Sequence, residues 1–471
     1  MSIPPSTPTG THADLNIDRS EGDSNLSPYR RAWSEKTLDE RGRALLAEDE
    51  KYFLRQSLST PCLSAVRKVE GIWIEDTAGR RYMDFHGNNV HHIGYAHPRL
   101  IAAVKKQIDD LPFAPRRFTN DPAVLLARKL SELSPGNLNK MLFATGGSDT
   151  IDMALKLSRA KTGKFKTISF WDSFHGAGFG GISVGGESLF RHGIGPTLPG
   201  AEHVAPFACY RCPYGYKDKD GGPDLDVCNM TCANMVRYVL EKERDVAAVI
   251  AEPVRAIPYV PPKGFWQEVR KACDEIGALL IFDEIPNGLG KTGKMFVSEH
   301  FDVVPDIVCI GKSLGGGMLP IAAMICKPEL DVMADKALGH YTHEKNPVTS
   351  RAALTTLEII EDENLVENAA KIGAYAKERL LTMKDKYPII GCINGIGLCI
   401  GIDLVTDRLT KDPAIDAADK VLYHCLENGL SFKTTLGSVL TLTPPLIVTK
   451  EQMDQALDII EAAIIEVSKD L

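Results

Sequence analysis

A lysine and an aspartate, each closing a short apolar run, define the chemistry open to this chain. Lys312 follows the run in PDIVCIGKSLGGGMLP, and Asp283 ends the run in LLIFDEIPNGLGKTG, twenty-nine positions earlier. A lysine after one β-type run, with an acid closing the run before it, is the arrangement needed to hold pyridoxal phosphate. The amine forms an imine with the cofactor aldehyde. The carboxylate keeps the pyridine nitrogen protonated, so that the ring accepts electrons from a substrate carbanion.

The elements that must position this pair are legible as alternation. Apolar, β-branched runs recur in KMLFATGG, FKTISFW, VAAVIAEP, ALLIFDE, DIVCIGK and AAMICK, with helical patterns between them, such as Asp149 to Ala160 and Gly264 to Ile276. This predicts a large α/β domain with a mainly parallel sheet, whose ligands gather beyond the strand ends. GIWIEDTAGRRYMDF predicts a hairpin with its turn near Ala78 and Gly79, GIGLCIGIDL a strand, and Glu451 to Ser468 a helix. We expect a tail over 1–27, a small α+β domain from both chain ends (28–95 and 346–471), and a large domain over 96–345 with a cysteine-rich insertion at 207–233.

Composition narrows the function classes. The chain has 471 residues, too many for one ordinary core. Its 54 Lys+Arg against 62 Asp+Glu, a net charge of -8, give no basic surface for nucleic acid. No apolar run approaches the ~18 residues of a membrane span, and the Ser-, Pro- and Gly-rich start lacks a leader pattern. We expect a cytoplasmic, small-molecule enzyme. Eleven cysteines in such a chain argue against a disulfide scaffold.

The series EDTAGRRYMDF, FATGGSDTIDMALKLSRA, SFHGAG, AEPV, DEIPNGLGKTG, PDIVCIGKSLGGG, THEKNP and TPPL, in this order, resembles the class III aminotransferases, from about Gly71 to the C-terminus. The resemblance implies the α/β fold-type I of pyridoxal phosphate enzymes. It implies Lys312 as attachment point and base, and Asp283 as partner of the pyridine nitrogen. Gly147 and Ser148 fall to the cofactor phosphate, as a strand-to-helix Gly-Gly-Ser turn allows. Phe174 and His175 match the aromatic-His step that stacks on the ring, Ile285 the cover on its other face, and Glu252 a glutamate near it. Thr342 matches a threonine that reaches the phosphate from a neighbouring subunit, which implies a homodimer.

Two departures bear on the substrate. Thr441, in VLTLTPPL, stands where the family usually carries an arginine that grips substrate carboxylates, and Pro286 stands where it commonly carries glutamine. Within class III the chain is most similar to the ammonia-lyases of phosphonate catabolism that act on (R)-1-hydroxy-2-aminoethylphosphonate, through FHGNNVHHIGY, FAPRRFTN, AEPVR and GHYTHEKNP. The resemblance thus implies elimination of ammonia to give phosphonoacetaldehyde. The alternative is an ω-amino acid or amine transaminase with an oxo-acid acceptor. Arg116, Arg117 and Arg255 are the candidates for holding a phosphonate, and Asn88 and His86 for the substrate hydroxyl.

Cys209 and Cys212, then Cys228 and Cys232, form a C-x2-C and a C-x3-C pair across a fifteen-residue loop. Four thiolates so spaced can form a tetrahedral zinc site; buried cysteines without a ligand are the alternative.

Overall fold

The computed structural model describes residues 27–56, 62–219 and 222–470. The tail expected over 1–27 lies outside the described residues except for Ser27, whose hydroxyl caps helix α1 (Pro28–Thr37) by accepting from Tyr29 N at 3.2 Å.

An antiparallel ribbon comes first, with β1 (Val66–Glu70), β2 (Trp73–Asp76) and β3 (Arg81–Asp84). Its second turn, at Ala78 and Gly79, falls where the sequence predicts it. Asp76 Oδ1 accepts from the backbone N–H of Ala78 and of Arg80, and Gly79 takes φ +81°, which suits glycine alone.

The centre is a seven-stranded sheet of β4 (Lys140–Ala144), β5 (Lys166–Phe170), β6 (Ala201–Val204), β7 (Val246–Ala251), β8 (Leu279–Asp283), β9 (Ile307–Ile310) and β10 (Ala322–Cys326), in the order β4-β10-β9-β8-β7-β5-β6. Only β10 runs against the others. β7 is buried at every residue, as the continuous apolar run VAAVIA requires of a strand covered on both faces. Helix α2 (Gly147–Thr162) leads out of β4, and α3 (Phe265–Ile276) leads into β8. α3 delivers Phe265 and Trp266 to a cluster with Phe170, Phe207 and Phe282, where the Trp266 indole N–H bonds Pro253 O at 2.9 Å.

Two long helices, α4 (Pro347–Asp362) and α5 (Leu365–Lys386), carry the chain to a second antiparallel sheet. That sheet contains β11 (Ile390–Ile396) and β12 (Cys399–Leu404). After α6 (Ile415–Glu427) come β13 (Leu430–Ser431), β14 (Lys433–Thr435) and β15 (Val439–Leu442), and α7 (Lys450–Val467) follows. The second sheet has the order β11-β12-β15-β14. β13 instead joins the N-terminal ribbon, pairing Leu430 with Met83 and Ser431 with Asp84 in parallel. The two chain ends are thereby one structural unit, as the fold class implies.

Candidate active site

The parallel strands of the central sheet end together. Asp283 is the last residue of β8, in register with Cys309 of β9, and Lys312 begins a tight turn two residues after β9. Glu252 follows β7, Phe174 and His175 lie just after β5, and Gly147 opens α2 beyond β4. Side chains distant in sequence therefore converge beyond the C-terminal edge of the sheet, at the place such sheets bind ligands. There they line a cavity of about 580 Å³.

On its floor Asp283 is 2% exposed. Its Oδ2 accepts from His175 Nδ1 at 2.8 Å, and its Oδ1 from the backbone N–H of Ile285 at 3.1 Å. A carboxylate only accepts, so Nδ1 carries the hydrogen. His175 Nε2 is buried and has no partner among the described residues. Glu252 accepts from Phe174 N at 3.3 Å and Ala256 N at 2.6 Å. Burial pushes its pKa above the usual carboxylate range, while His175 and Arg255 oppose the rise.

The walls are built for close approach. The N-terminus of α2 has Gly146 as its cap residue, with no side chain bonding the first turn, so its backbone donors face outward. Ser148 Oγ accepts from Ala177 N at 3.1 Å. A Cβ on Gly147 would lie 2.7 Å from Ile285 Cδ1, and one on Gly176, at φ +113°, 2.2 Å from Ser148 Oγ. Phe174 packs on Phe190 with centroids 4.6 Å apart and lines the cavity, as does Ile285.

The residues present fit pyridoxal phosphate: an amine, a buried anion, the apolar side chains of Phe174 and Ile285, and a helix N-terminus for a phosphate. Lys312, Asp283, Gly147, Ser148, Phe174, His175, Glu252 and Ile285 all line the one cavity. Thr342 is exposed and does not.

The expected substrate residues are scattered. Asn88 and His86 line the cavity. Arg116 lies outside it, exposed and bonded to His340 Nε2 at 2.7 Å, and Arg117 is likewise exposed. Arg255 is 3% exposed, but it donates to Asp172 O and lies over the Tyr259 ring, away from the cavity. Two cations that the motifs did not flag line it instead, Lys433 on β14 and Arg30 on α1. Neither adjoins a recognisable motif, so only the fold brings them there.

The four-thiolate zinc site finds no support. Cys209, Cys212, Cys228 and Cys232 border one small pocket of about 30 Å³. Among the described residues, however, no group of three or more His, Cys, Asp or Glu is arranged to hold a metal ion. In the metal-free chain burial and the neighbouring thiols push Cys209 up to about 12, and burial pushes Cys232 up to about 11.

The family model for class III aminotransferases matches residues 55–464. The chain belongs to the class III aminotransferase family. It is accordingly a pyridoxal phosphate-dependent enzyme. It is 48% identical over 460 residues, 96% of each chain, to the (R)-1-hydroxy-2-aminoethylphosphonate ammonia-lyase of Vibrio splendidus. It is 38% identical to the leucine/methionine racemase of Thermococcus litoralis, over 87% of this chain and 92% of that one. Among solved structures, a Bacillus anthracis aminotransferase superposes with a TM-score of 0.83 at 30% identity, over 91% of this chain and all of that one. An amine transaminase from an uncultivated Pseudomonas species, in a PLP-bound form, does so at 0.82 and 28%, over 88% and 99%. The class III fold thus serves several reactions, and the substrate must be argued from the cavity.

Proposed function

We propose that this enzyme eliminates ammonia from (R)-1-hydroxy-2-aminoethylphosphonate to give phosphonoacetaldehyde. The observation that carries the reading is the 48% identity to an ammonia-lyase of that name over 96% of both chains. Thr441 supports it. Its side chain is buried and shares a hydrogen bond with Thr435 Oγ1 at 2.8 Å, so no guanidinium stands ready for a carboxylate at that position. A substrate with an amine and a phosphonate but no carboxylate needs none.

Bound pyridoxal phosphate supplies an electrophilic carbon for the substrate amine and a ring that accepts electrons from the adjacent carbon. Lys312 Nζ holds it and then takes the proton from the amino-bearing carbon. Asp283, held by His175 Nδ1, would present an anion to the ring nitrogen. Phe174 and Ile285 would hold the ring, and the first-turn donors of α2 with Ser148 would take the phosphate. Proton removal at one carbon and loss of hydroxide from the next give an enamine. Its hydrolysis returns the water lost and yields phosphonoacetaldehyde and ammonia, with no second substrate. Thr342, exposed on the loop before α4, is suited to a neighbouring subunit's phosphate site, so we take a homodimer as the working assembly. No helix among the described residues is long and apolar enough to cross a membrane.

The second reading, an amine transaminase, has in its favour the TM-score of 0.82 with the Pseudomonas amine transaminase. Purified enzyme given the amine alone decides between them. Free ammonia without an oxo acid is the expected result; turnover that requires an oxo acid and leaves the cofactor aminated would overturn it. Lys312→Ala is expected to abolish turnover, and full activity in that variant would defeat the assignment.

A further inference from the structure

The sequence points to Asn88 and His86 for the substrate hydroxyl, and the structure draws the eye to the residue beside them. In the turn Gly87–Asn89, three consecutive residues take a left-handed backbone, with φ of +46° at Gly87, +47° at Asn88 and +59° at Asn89. Asparagine visits that region more readily than most residues, yet such strain persists only where the surroundings over-determine it. They do so here. Asp84 Oδ1 accepts from the backbone N–H of His86 and of Gly87, each at 3.0 Å, and Tyr95 Oη donates to Asp84 Oδ2 at 2.6 Å. The N–H groups of Asn89 and Val90 donate to His86 O and Gly87 O, both at 2.9 Å. A Cβ on Gly87 would lie 2.3 Å from His91 Nδ1, so the turn is wedged against that ring.

Tolerance of the left-handed region accounts for Asn88, whose side chain is exposed. It does not account for the side chain of Asn89. That residue is 5% exposed and lines the cavity, and its Oδ1 is buried with no hydrogen-bond partner among the described residues. A buried acceptor left unpaired destabilises the fold, so its retention on a strained turn points to a donor that arrives with the ligand. The turn packs against the turn Lys312–Gly315, which anchors Asn89 next to the element that carries the reactive amine.

The proposed substrate brings one suitable donor. Its amine is taken up by the cofactor, its phosphonate dianion only accepts, and its hydroxyl donates. The buried carboxylates of the cavity are already engaged, Asp283 by His175 Nδ1 and Ile285 N, Glu252 by Phe174 N and Ala256 N. Resting on the reading above, we infer that Asn89 Oδ1 accepts the hydrogen bond of the substrate hydroxyl and sets the preference for amines that carry a hydroxyl on the neighbouring carbon.

The test mixes holoenzyme rapidly with two amines that differ by that hydroxyl alone, (R)-1-hydroxy-2-aminoethylphosphonate and 2-aminoethylphosphonate. The change in cofactor absorbance before turnover gives the affinity for each, and ammonia release is measured separately. Wild type is expected to bind the hydroxy amine more tightly. Asn89→Gly suits the left-handed backbone and removes the carboxamide. It is expected to weaken the hydroxy amine about 5- to 50-fold, as loss of a buried hydrogen bond implies, and to leave the other within about twofold. Asn89→Asp retains an acceptor oxygen and should keep most of the preference, since its charge acts on both phosphonates alike. Asn89→Ala replaces the Gly variant if the latter does not hold cofactor. A wild type that releases no ammonia from the hydroxy amine defeats the proposed function and this assignment with it. A wild type that releases ammonia but binds both amines alike, or whose preference is unchanged in Asn89→Gly, defeats the assignment alone. Equal weakening of both amines would assign Asn89 a structural role and likewise overturn it.

Discussion

Replacing Asp283 with alanine is the sharpest perturbation of the cofactor floor. The carboxylate makes two bonds, to His175 Nδ1 at 2.8 Å and to Ile285 N at 3.1 Å, at 2% exposure. Its removal leaves a fully buried imidazole with neither nitrogen partnered, since Nε2 has no partner among the described residues. It also takes away the anion proposed to face the ring nitrogen. Breaking a buried pair by deleting one member costs about 3–5 kcal/mol. If that cost falls on the cofactor-bound state, affinity drops by roughly two to three and a half orders of magnitude. Asp283→Asn separates charge from hydrogen bonding: its amide oxygen still accepts from Ile285 N, so the fold is expected to survive while cofactor affinity still falls. The assay is the cofactor-to-protein ratio after exhaustive dialysis, then a reconstitution titration by absorbance, with melting temperature as the control for folding. An alanine variant that keeps the cofactor as wild type does would refute the reasoning.

Three further outcomes are expected. Gly176→Ala places a methyl carbon 2.9 Å from Ser148 Cα, a backbone atom, at a φ of +113°. It should cost about 1–3 kcal/mol in backbone strain alone and weaken cofactor binding by displacing Ser148, as melting and titration would report. Lys291 is fully buried, its ammonium donating to Pro444 O at 2.6 Å and Thr443 O at 3.2 Å, and burial lowers its pKa to about 7. From there up to the unfolded value near 10.5 only the unfolded chain holds that proton, so this group adds stability as pH rises through the window and costs most below 7. Denaturation of Lys291→Met at pH 7 and pH 9.5 should therefore show its stability relative to wild type falling with pH, by up to about 1.4 kcal/mol per unit; a constant difference would contradict the assignment. Thr441→Arg, intended to restore a carboxylate grip, should instead destabilise by about 3–5 kcal/mol in chemical denaturation, because it buries a cation on the same face as Lys433.

How much the sequence disclosed depends on what each residue follows. Asp283, Glu252, His175 and Lys312 each come within a few positions after an apolar run, so the strands that place them were visible as hydrophobic stretches. β6, reading AEHV, has no such stretch and escaped, as did α1, whose charged surface hides its one deeply buried aromatic, Trp33. Arg255 misled because proximity to a motif along the chain is not proximity in space: three residues past Glu252 its side chain has turned toward Asp172 and Tyr259. Lys433 lay hidden in FKTTLG, where composition cannot tell a cavity cation from a solvated one.

The pairing of Leu430 with Met83 has a consequence for biosynthesis. Every residue proposed to anchor the coenzyme is translated before α6, whereas the wall facing it needs β13 to dock beside a ribbon made near the start of synthesis. On the ribosome the bay therefore stays open on one side until the last stretch of polypeptide emerges. A chain terminated within α6 would retain its reactive amine yet present it to bulk water.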